Sequence, residues 1–188
     1  TNPLFYIIIN LNLKINEVFK KEVNFMKNLY IVTGANGHLG NTIIRILLER
    51  GERVRGLILP SEEPDFPDRA EYVKGDVTEP ESLRALFEGA ERASVVVIHT
   101  AGIISIADEV TDALLKVNVE GTKNLLALAF ENKVSKFVYV SSVHAIPERP
   151  YRVLEETDEF SEDTVHGAYA KTKAMATRAV LEYVRKGL

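Results

Sequence analysis

The sequence predicts an α/β protein of the Rossmann type, in which helices cover both faces of a parallel sheet. Two observations lead to this class. A glycine-rich turn joins an apolar strand to an amphipathic helix near residue 34, and strand candidates alternate with helical stretches from there to residue 188. Strands that alternate with helices form parallel sheets. The strand order expected for this class is 3-2-1-4-5.

The first strand and the turn after it lie in Leu29–Gly40, where glycine occupies positions 34, 37 and 40. Gly34 allows a sharp turn off the strand, and Gly37 lacks the Cβ that would obstruct a phosphate. Gly40 lets the next helix lie close to the sheet. The N–H groups and positive dipole end of that helix favour an anion. Because a strand precedes the turn and an amphipathic helix follows it, the stretch predicts a dinucleotide site.

Four more strands are predicted, at Arg53–Leu59, Glu71–Lys74, Val95–Ile98 and Lys136–Val140. The continuous apolar run from 95 to 98 is typical of a strand that is buried on both faces. Gly51 is expected at the C′ position of the first helix. The apolar residues of that helix recur at helical spacing; they are Leu39, Ile43, Ile44, Leu47 and Leu48.

The next predicted helix follows a capping box at Thr78–Glu81, directs Leu83, Leu86 and Phe87 inward and ends near Gly89. A polar, proline-containing loop at Pro60–Arg69 precedes it in the chain.

A long helix is predicted from about Asp108 to Asn132 and a final one from about Thr164 to Lys186. Asn118 and Gly121 both lower helix propensity within the long helix, so we expect another requirement to favour them. The apolar stripe of the long helix consists of Val110, Leu114, Val117, Leu125 and Leu128.

The composition excludes several functions. The chain has 188 residues, a net charge of −4 and no cysteine, and its four histidines lie far apart. Disulfides and thiolate sites are therefore excluded, a zinc site is not expected, and nucleic acid is not an expected partner. The lack of cysteine agrees with a cytoplasmic protein in a reducing environment.

Residues 1–25 differ from the rest in being rich in Asn, Ile and Lys, and we interpret them as an upstream extension before a single domain at 26–188. The apolar run Leu4–Ile9 is too short to span a bilayer. The alternative is an additional strand or an interfacial helix.

The end of the second strand bears on the choice of cofactor. An acidic residue there would bind the 2′-hydroxyl of NAD and a basic one the 2′-phosphate of NADP, yet the chain has Leu59-Pro60-Ser61-Glu62-Glu63. Glu62 and Glu63 would repel a phosphate, which favours NAD. The alternative is that both are solvated loop charges.

Tyr169 and Lys173 are four residues apart, so a helix places them on one face. A nearby ammonium lowers the pKa of a phenol, and such a pair can exchange a proton near neutral pH. Ser142 ends a strand beside the glycine turn and could donate a hydrogen bond to a substrate carbonyl. Each motif alone occurs often by chance, as a solvated helix face or a turn, so the interpretation depends on their order.

In that order the chain resembles the extended branch of the short-chain dehydrogenase/reductase superfamily, the NAD-dependent epimerases/dehydratases and dihydroflavonol-reductase-like proteins. The resemblance covers residues 29–188. Its matching stretches are Thr33–Gly40, Gly75-Asp76-Val77, His99–Gly102, Asn118–Thr122, Tyr139–Ser142 and Tyr169–Lys173.

The resemblance implies hydride transfer between a nicotinamide cofactor, NAD or NADP, and a small carbonyl or secondary alcohol. It implies that Tyr169 is the general acid/base, that Lys173 binds the nicotinamide ribose, that Ser142 binds the substrate oxygen and that Asn118 anchors a water. The cofactor-binding residues that it implies are Gly34, Asn36, Gly37, His38, Leu39, Gly40, Asp76, Val77, Thr100, Ala101, Gly102, Ser141, Tyr169 and Lys173.

The chain also departs from the family. Val143-His144 replaces the acidic pair of sugar-nucleotide dehydratases, and the sequence ends where family members continue into two more strands and a substrate domain. We therefore expect an open sheet edge at the fifth strand and little turnover from a truncated chain. A nucleotide-sugar epimerase and a non-catalytic dinucleotide sensor are the alternatives. Family members commonly dimerise through the Asn118 and Tyr169 helices, so a homodimer is expected.

Overall fold

The computed structural model describes residues 28–90, 94–147 and 153–188. The predicted extension at 1–25 lies outside the described residues. Five parallel strands form one sheet in the order β3-β2-β1-β4-β5, which confirms the predicted architecture and order. The strands are β1 Leu29–Thr33, β2 Arg53–Ile58, β3 Glu71–Lys74, β4 Val95–His99 and β5 Lys136–Tyr139.

The helices lie between and after these strands. The α-helical segments are α1 His38–Glu49, α2 Pro80–Leu83, α3 Asp112–Leu114, α4 Gly121–Glu131 and α5 Ala168–Arg185. Short 3₁₀ turns lie at Arg84–Leu86, Val143–Ala145 and Glu162–Thr164, and a π-helical segment, Leu115–Glu120, joins α3 to α4. No helix in the described part of the chain is long and apolar enough to cross a membrane.

Successive side chains of the strands point to opposite faces of the sheet, and each face is covered by different helices. Leu29 and Ile31 of β1 pack with α2 and α4 residues such as Leu83 and Leu125. Val32 belongs to the cluster on the other face; its further members are Ala35, Ile44, Leu47, Val54 and Ile58. The core therefore has one half on each side of the sheet, as the Rossmann class requires.

Helix starts were the least accurate predictions. The capping box at Thr78–Glu81 is wrong: α2 begins at Pro80 after Glu79, which makes no side-chain cap. The Thr78 hydroxyl instead donates to Asp76 Oδ1 at 2.9 Å. The helix is also shorter than predicted, since 3₁₀ geometry takes over at Arg84–Leu86, although the inward positions of Leu83, Leu86 and Phe87 are confirmed.

The long helix begins at Asp112 rather than Asp108, so Val110 precedes it, and Thr111 is its N-cap. The last helix begins at Ala168 rather than Thr164. In α1, Leu39 is 44% exposed and does not belong to the apolar stripe that was predicted for it. Gly51 lies at φ +73° directly after α1, as predicted.

Gly121 lies where the long helix meets the end of β3. A Cβ on Gly121 would approach Val77 Cγ2 to 2.6 Å. The helix therefore needs a glycine there to lie against Val77, which explains a residue of low helix propensity at this position.

Candidate active site

The carboxyl ends of β1 and β4 meet at the glycine turn. Gly34 has φ +65°, and a Cβ there would lie 3.0 Å from the main chain of Ala101. The Thr100 hydroxyl donates to Thr33 O at 2.7 Å. The turn after β1 and the predicted small-residue turn after β4 are thus in direct contact.

The turn continues into the N-terminus of α1. Gly37 is the N-cap and has no side-chain cap, and His38 and Leu39 after it are exposed. A Cβ on Gly40 would lie 2.1 Å from Gly34 O, so α1 approaches the turn as closely as a glycine allows. The N–H groups of the first helical turn are available to an anion, as in other helix N-termini that bind phosphate.

Asn36 connects the glycine turn to the loop after β2. Its Nδ2 donates to Glu63 O at 2.8 Å, whereas its Oδ1 is buried without a hydrogen-bond partner among the described residues. Asn41 of α1 donates to Asp65 of the same loop. Glu62 accepts from Leu59 N, and Glu63 pairs with Lys74 at 2.9 Å. The loop that follows β2 is therefore held against the glycine turn and carries acidic side chains there.

Asp76 and Val77 follow β3 at the same edge of the sheet. Asp76 Oδ1 accepts from Thr78 N at 2.8 Å, and Val77 O accepts from Asn124 Nδ2 at 3.0 Å. Val77 is buried beside α4. These two residues lie at the part of the carboxyl edge where the resemblance implies that adenine binds.

Lys173 is buried in α5, and its Nζ donates to Val140 O at 2.6 Å and lies 4.3 Å from the centre of the Tyr139 ring. Burial lowers the pKa of Lys173 to about 8. Burial, followed by the nearness of Tyr169, raises the pKa of Tyr139 above its usual range, so Tyr139 stays a neutral phenol. Tyr169 lies one turn before Lys173 on α5 and is half-buried.

Ser141 and Ser142 follow β5, next to this helix. Ser142 Oγ accepts from His144 N at 3.2 Å and caps a 3₁₀ turn, and its hydroxyl proton has no acceptor among the described residues. The Ser141 hydroxyl lies 2.6 Å from that of Thr177 on α5. The structure therefore brings Ser142, Tyr169 and Lys173 to one end of the sheet. The Ser141 hydroxyl is bound to Thr177 instead.

Asn118 is buried in the π-helical segment, and both polar atoms of its side chain form hydrogen bonds. Its Oδ1 accepts from Ile103 N at 2.8 Å, and its Nδ2 donates to Ile103 O at 2.9 Å and to Thr172 Oγ1 at 3.1 Å. These bonds fix the loop after β4 and join it to α5. They explain an asparagine at this position, independently of the water-anchoring role that the resemblance implies.

Sequence reasoning missed a group of buried polar residues under the site: Thr33, His99 and Thr122. His99 is fully buried between the hydroxyls of Thr33, at 2.6 Å, and Thr122, at 3.0 Å. Burial, together with the charge of Lys173, lowers the pKa of His99 to about 3. The available signal was a polar residue at the end of each of two otherwise apolar strands.

A family described as the 3-beta hydroxysteroid dehydrogenase/isomerase family matches residues 31–185. Sterol demethylase protein B of Methylococcus capsulatus is 35% identical over 160 residues, which are 84% of this chain and 48% of the relative. A putative dihydroflavonol 4-reductase of Synechocystis is 30% identical over 165 residues, 86% of this chain and 47% of the relative.

Among solved structures, a short-chain dehydrogenase/reductase superfamily protein from Agrobacterium tumefaciens with bound NAD is similar to this chain. It is 30% identical with a TM-score of 0.66, over 85% of this chain and 46% of that protein. The similarity confirms the superfamily and the fold that the motifs predicted. The chain spans about half the length of the relatives that it matches.

Proposed function

Because this chain belongs to the 3-beta hydroxysteroid dehydrogenase/isomerase family, we propose that it binds a nicotinamide dinucleotide and serves hydride transfer between that cofactor and a secondary alcohol or its carbonyl. The observation that carries the proposal is the convergence of two parts of the chain. The uncapped N-terminus of α1 and the Tyr169–Lys173 face of α5 both lie at the carboxyl edge of one sheet. Ligands of open α/β sheets bind at that edge.

The glycine turn fits a dinucleotide. The first-turn N–H groups of α1 would hold the pyrophosphate, and the absent Cβ of Gly37 leaves room for it. Asn36 Oδ1, which has no hydrogen-bond partner in the described part of the chain, is a buried acceptor within the same turn, and buried polar atoms normally have a partner. Asp76 and Val77 would lie along the adenine, with Thr100–Gly102 and Ser141 nearer the nicotinamide.

We expect NAD rather than NADP. The loop that would face the adenosine ribose carries Glu62, Glu63 and Asp65, and the nearby Lys74 is already paired with Glu63. A 2′-phosphate placed there would meet like charge, whereas a ribose hydroxyl would find hydrogen-bond acceptors.

A bound nicotinamide cofactor would supply or accept the hydride, and the residues of this chain would hold the substrate and move the proton. Tyr169 gives a proton to the reacting oxygen when a carbonyl is reduced and takes one when an alcohol is oxidised. The Ser142 hydroxyl, whose oxygen accepts from His144 N, would donate its proton to the same substrate oxygen and orient it. Lys173, fixed by Val140 O and the Tyr139 ring, supplies a cation one helical turn from Tyr169 and binds the ribose hydroxyls.

Exposed side chains next to the proposed site favour an apolar substrate over a sugar nucleotide. Large apolar side chains are exposed in the loop after β4 and directly after Ser142; they are Ile103, Ile104, Ile106 and Val143. The relatives include a sterol-processing protein by name. We therefore propose a bulky apolar alcohol or ketone, of which a sterol is an example.

A thermal titration of the chain with NAD and with NADP tests the cofactor. A ligand present at 100 times its Kd adds about 2.7 kcal/mol to the unfolding free energy, which for a chain of this size raises Tm by about 5–10 °C. We expect this rise with NAD and a smaller one with NADP at equal concentration. An equal or larger rise with NADP would contradict the assigned role of the acidic loop, and no rise with either would contradict the dinucleotide site.

Formation of NADH during incubation with a 3-hydroxysterol tests the reaction. Tyr169→Phe should abolish any turnover and leave the NAD-induced rise in Tm nearly unchanged, because only the hydroxyl is removed and the aromatic ring keeps its packing. Turnover that survives this change would show that Tyr169 is not the acid/base.

A further inference from the structure

A continuous chain of hydrogen bonds runs beneath the proposed site through His99. Thr33 ends β1 and His99 ends β4, and the two residues are direct partners in the parallel register. The Thr33 hydroxyl lies 2.6 Å from His99 Nδ1, and the Thr122 hydroxyl lies 3.0 Å from His99 Nε2. The imidazole thus bridges the sheet and the helix that covers it.

The proton positions along this chain follow from the bonds at its two ends. Thr122 donates its only hydroxyl proton to Asn118 O at 2.7 Å, so its oxygen must accept from His99 Nε2–H. Thr33 Oγ1 accepts from Ala101 N at 3.3 Å, which leaves its own proton for His99 Nδ1. His99 is therefore neutral, with its proton on Nε2.

The chain continues to the helix that carries the reactive residues. The side chain of Asn118 donates to Thr172 Oγ1 at 3.1 Å, and the Thr172 hydroxyl donates to Tyr169 O at 2.9 Å. Thr33, at the start of the glycine turn, and Tyr169, on α5, are thereby connected through side chains that are buried from end to end.

The surroundings of His99 also require a neutral ring. Lys173 of α5 and Tyr139 of β5 are the titratable groups that face it, and the His99 and Tyr139 ring centres are 5.6 Å apart. A protonated His99 would add a second cation next to Lys173 and would lose the acceptor that Thr33 requires. The pKa of about 3 that burial and Lys173 produce agrees with the tautomer deduced from the bonds.

We propose that His99 is a positioning residue: as a neutral Nε2–H imidazole, it fixes the separation between the glycine turn after β1 and the helix pair that presents Asn118 and Tyr169. It touches neither substrate nor cofactor. This proposal rests on the proposed dinucleotide site for its effect on binding, whereas the tautomer and the mechanical link hold without it.

The tautomer is tested by long-range ¹H–¹⁵N NMR of the histidine rings. His38, His144 and His166 are exposed and provide reference signals from solvated rings. We expect one buried ring with the proton on Nε2 and no change between pH 5 and 9. A ring with the proton on Nδ1, or one that titrates in this range, would overturn the proposal.

The link is tested with Thr33→Val and Thr122→Val, which remove one hydroxyl each from opposite sides of the ring and leave His99 in place. If His99 couples them, the double variant loses less Tm than the two single losses added together. Thr42→Val is the matched control, since Thr42 makes the same helix bond, to His38 O at 2.8 Å, without touching His99. Its loss should add to that of Thr33→Val.

The consequence for the site is tested by NAD affinity. Thr122 lies in α4 beneath the proposed site. We expect Thr122→Val to weaken NAD binding at least threefold, because it removes the hydrogen bond by which His99 connects the glycine turn to the helices. The positioning role would be overturned if Thr122→Val bound NAD as tightly as the parent protein and the Tm losses of Thr33→Val and Thr122→Val were additive. If the parent protein binds no NAD, the proposed function fails, and the tautomer and the Tm cycle still decide whether the link exists.

Discussion

Alanine at Gly40 and at Gly37 should separate the folding of the glycine turn from its binding of the cofactor. A Cβ on Gly40 would lie 2.1 Å from Gly34 O and 2.9 Å from Gly34 C, and both are backbone atoms that no rotamer change can move. A Cβ on Gly37 would meet Gly34 O at 3.1 Å, which a shift of a few tenths of an ångström relieves. The two substitutions are chemically identical and lie one helical turn apart.

The expected cost at Gly40 follows from overpacking. Inserting a methyl group into a well-packed site costs about 1–3 kcal/mol, and contact with immobile backbone places Gly40→Ala at the upper end of that range. Alanine regains about 1 kcal/mol of helix propensity in α1. The net loss is then about 2 kcal/mol, which for a chain of this size lowers Tm by about 4–8 °C. Gly37, at the N-cap with φ −70°, should lose only about 1 kcal/mol or less.

Thermal unfolding followed by circular dichroism measures the first effect, and a titration with NAD measures the second. We expect Gly37→Ala to keep a Tm within about 4 °C of the parent and to lose at least tenfold in NAD affinity, because its methyl group would occupy the space that we propose for the pyrophosphate. If Gly40→Ala has the same Tm as the parent protein, α1 does not approach the turn as closely as described. If Gly37→Ala binds NAD as tightly as the parent, the anion does not lie at this helix end.

Three further predictions concern the framework of the site. Arg55 is a buried cation that donates to Leu86 O, Glu88 O and Glu71, so Arg55→Leu should lower the unfolding free energy in urea by about 2–4 kcal/mol, and a loss below about 1 kcal/mol would contradict this role. Burial lowers the pKa of Lys173 to about 8 in the folded protein, so between this pH and the higher pKa of the unfolded chain, the unfolded chain binds more protons. The unfolding free energy should therefore rise from about pH 8 to 10 relative to that of Lys173→Met. Parallel pH profiles of the two proteins would contradict this prediction. Gly121→Ala should lower Tm through its contact with Val77 Cγ2, and Val77→Ala should restore part of the loss by removing that methyl group, so an unrelieved double variant would argue against the contact.

The sheet could be predicted because its signals are local. β1 and β4 are short, mainly apolar stretches, and a glycine or a threonine follows each of them. β3 carries a charged residue at each end and was predicted to the residue because Gly75 ends it. Helix starts were harder because the same residue type has different partners in different contexts. Thr111 accepts from Leu114 N and caps α3, whereas Thr78, two residues after a carboxylate, donates to Asp76 instead. A sequence pattern alone does not reveal which competing acceptor is nearer.

The site was predictable to a similar depth. The spacing of Tyr169 and Lys173 placed both on one face of α5, because that relation lies within a single helix. The anchors of Lys173, Val140 O and the Tyr139 ring, come from a strand more than thirty residues away and depend on the tertiary structure. His99 was overlooked for the same reason, since its partners Thr33 and Thr122 approach it only when β1, β4 and α4 are assembled.

The buried hydrogen-bond chain and the hydrophobic core lie along the same rows of side chains. On the face of the sheet that α4 covers, Leu29 and Ile31 precede Thr33 in β1, and Val95 and Val97 precede His99 in β4. The helical row that faces them changes in the same way, from Leu128 and Leu125 to Thr122 and Asn118. Residues two apart share a face of a strand, and residues three or four apart share a face of a helix. Along both the strands and the helix, the facing residues change from apolar to polar towards the carboxyl edge of the sheet, where ligands of open α/β sheets bind.

Residues so placed take their orientation from the packed core behind them and so need little reorganisation when a ligand arrives. A single polar residue that ends an otherwise apolar, buried row is therefore a reason to look for a positioning group. In this chain that criterion selects Thr33 and His99 on the two strands, and Thr122 is the first polar residue of the helical row that faces them.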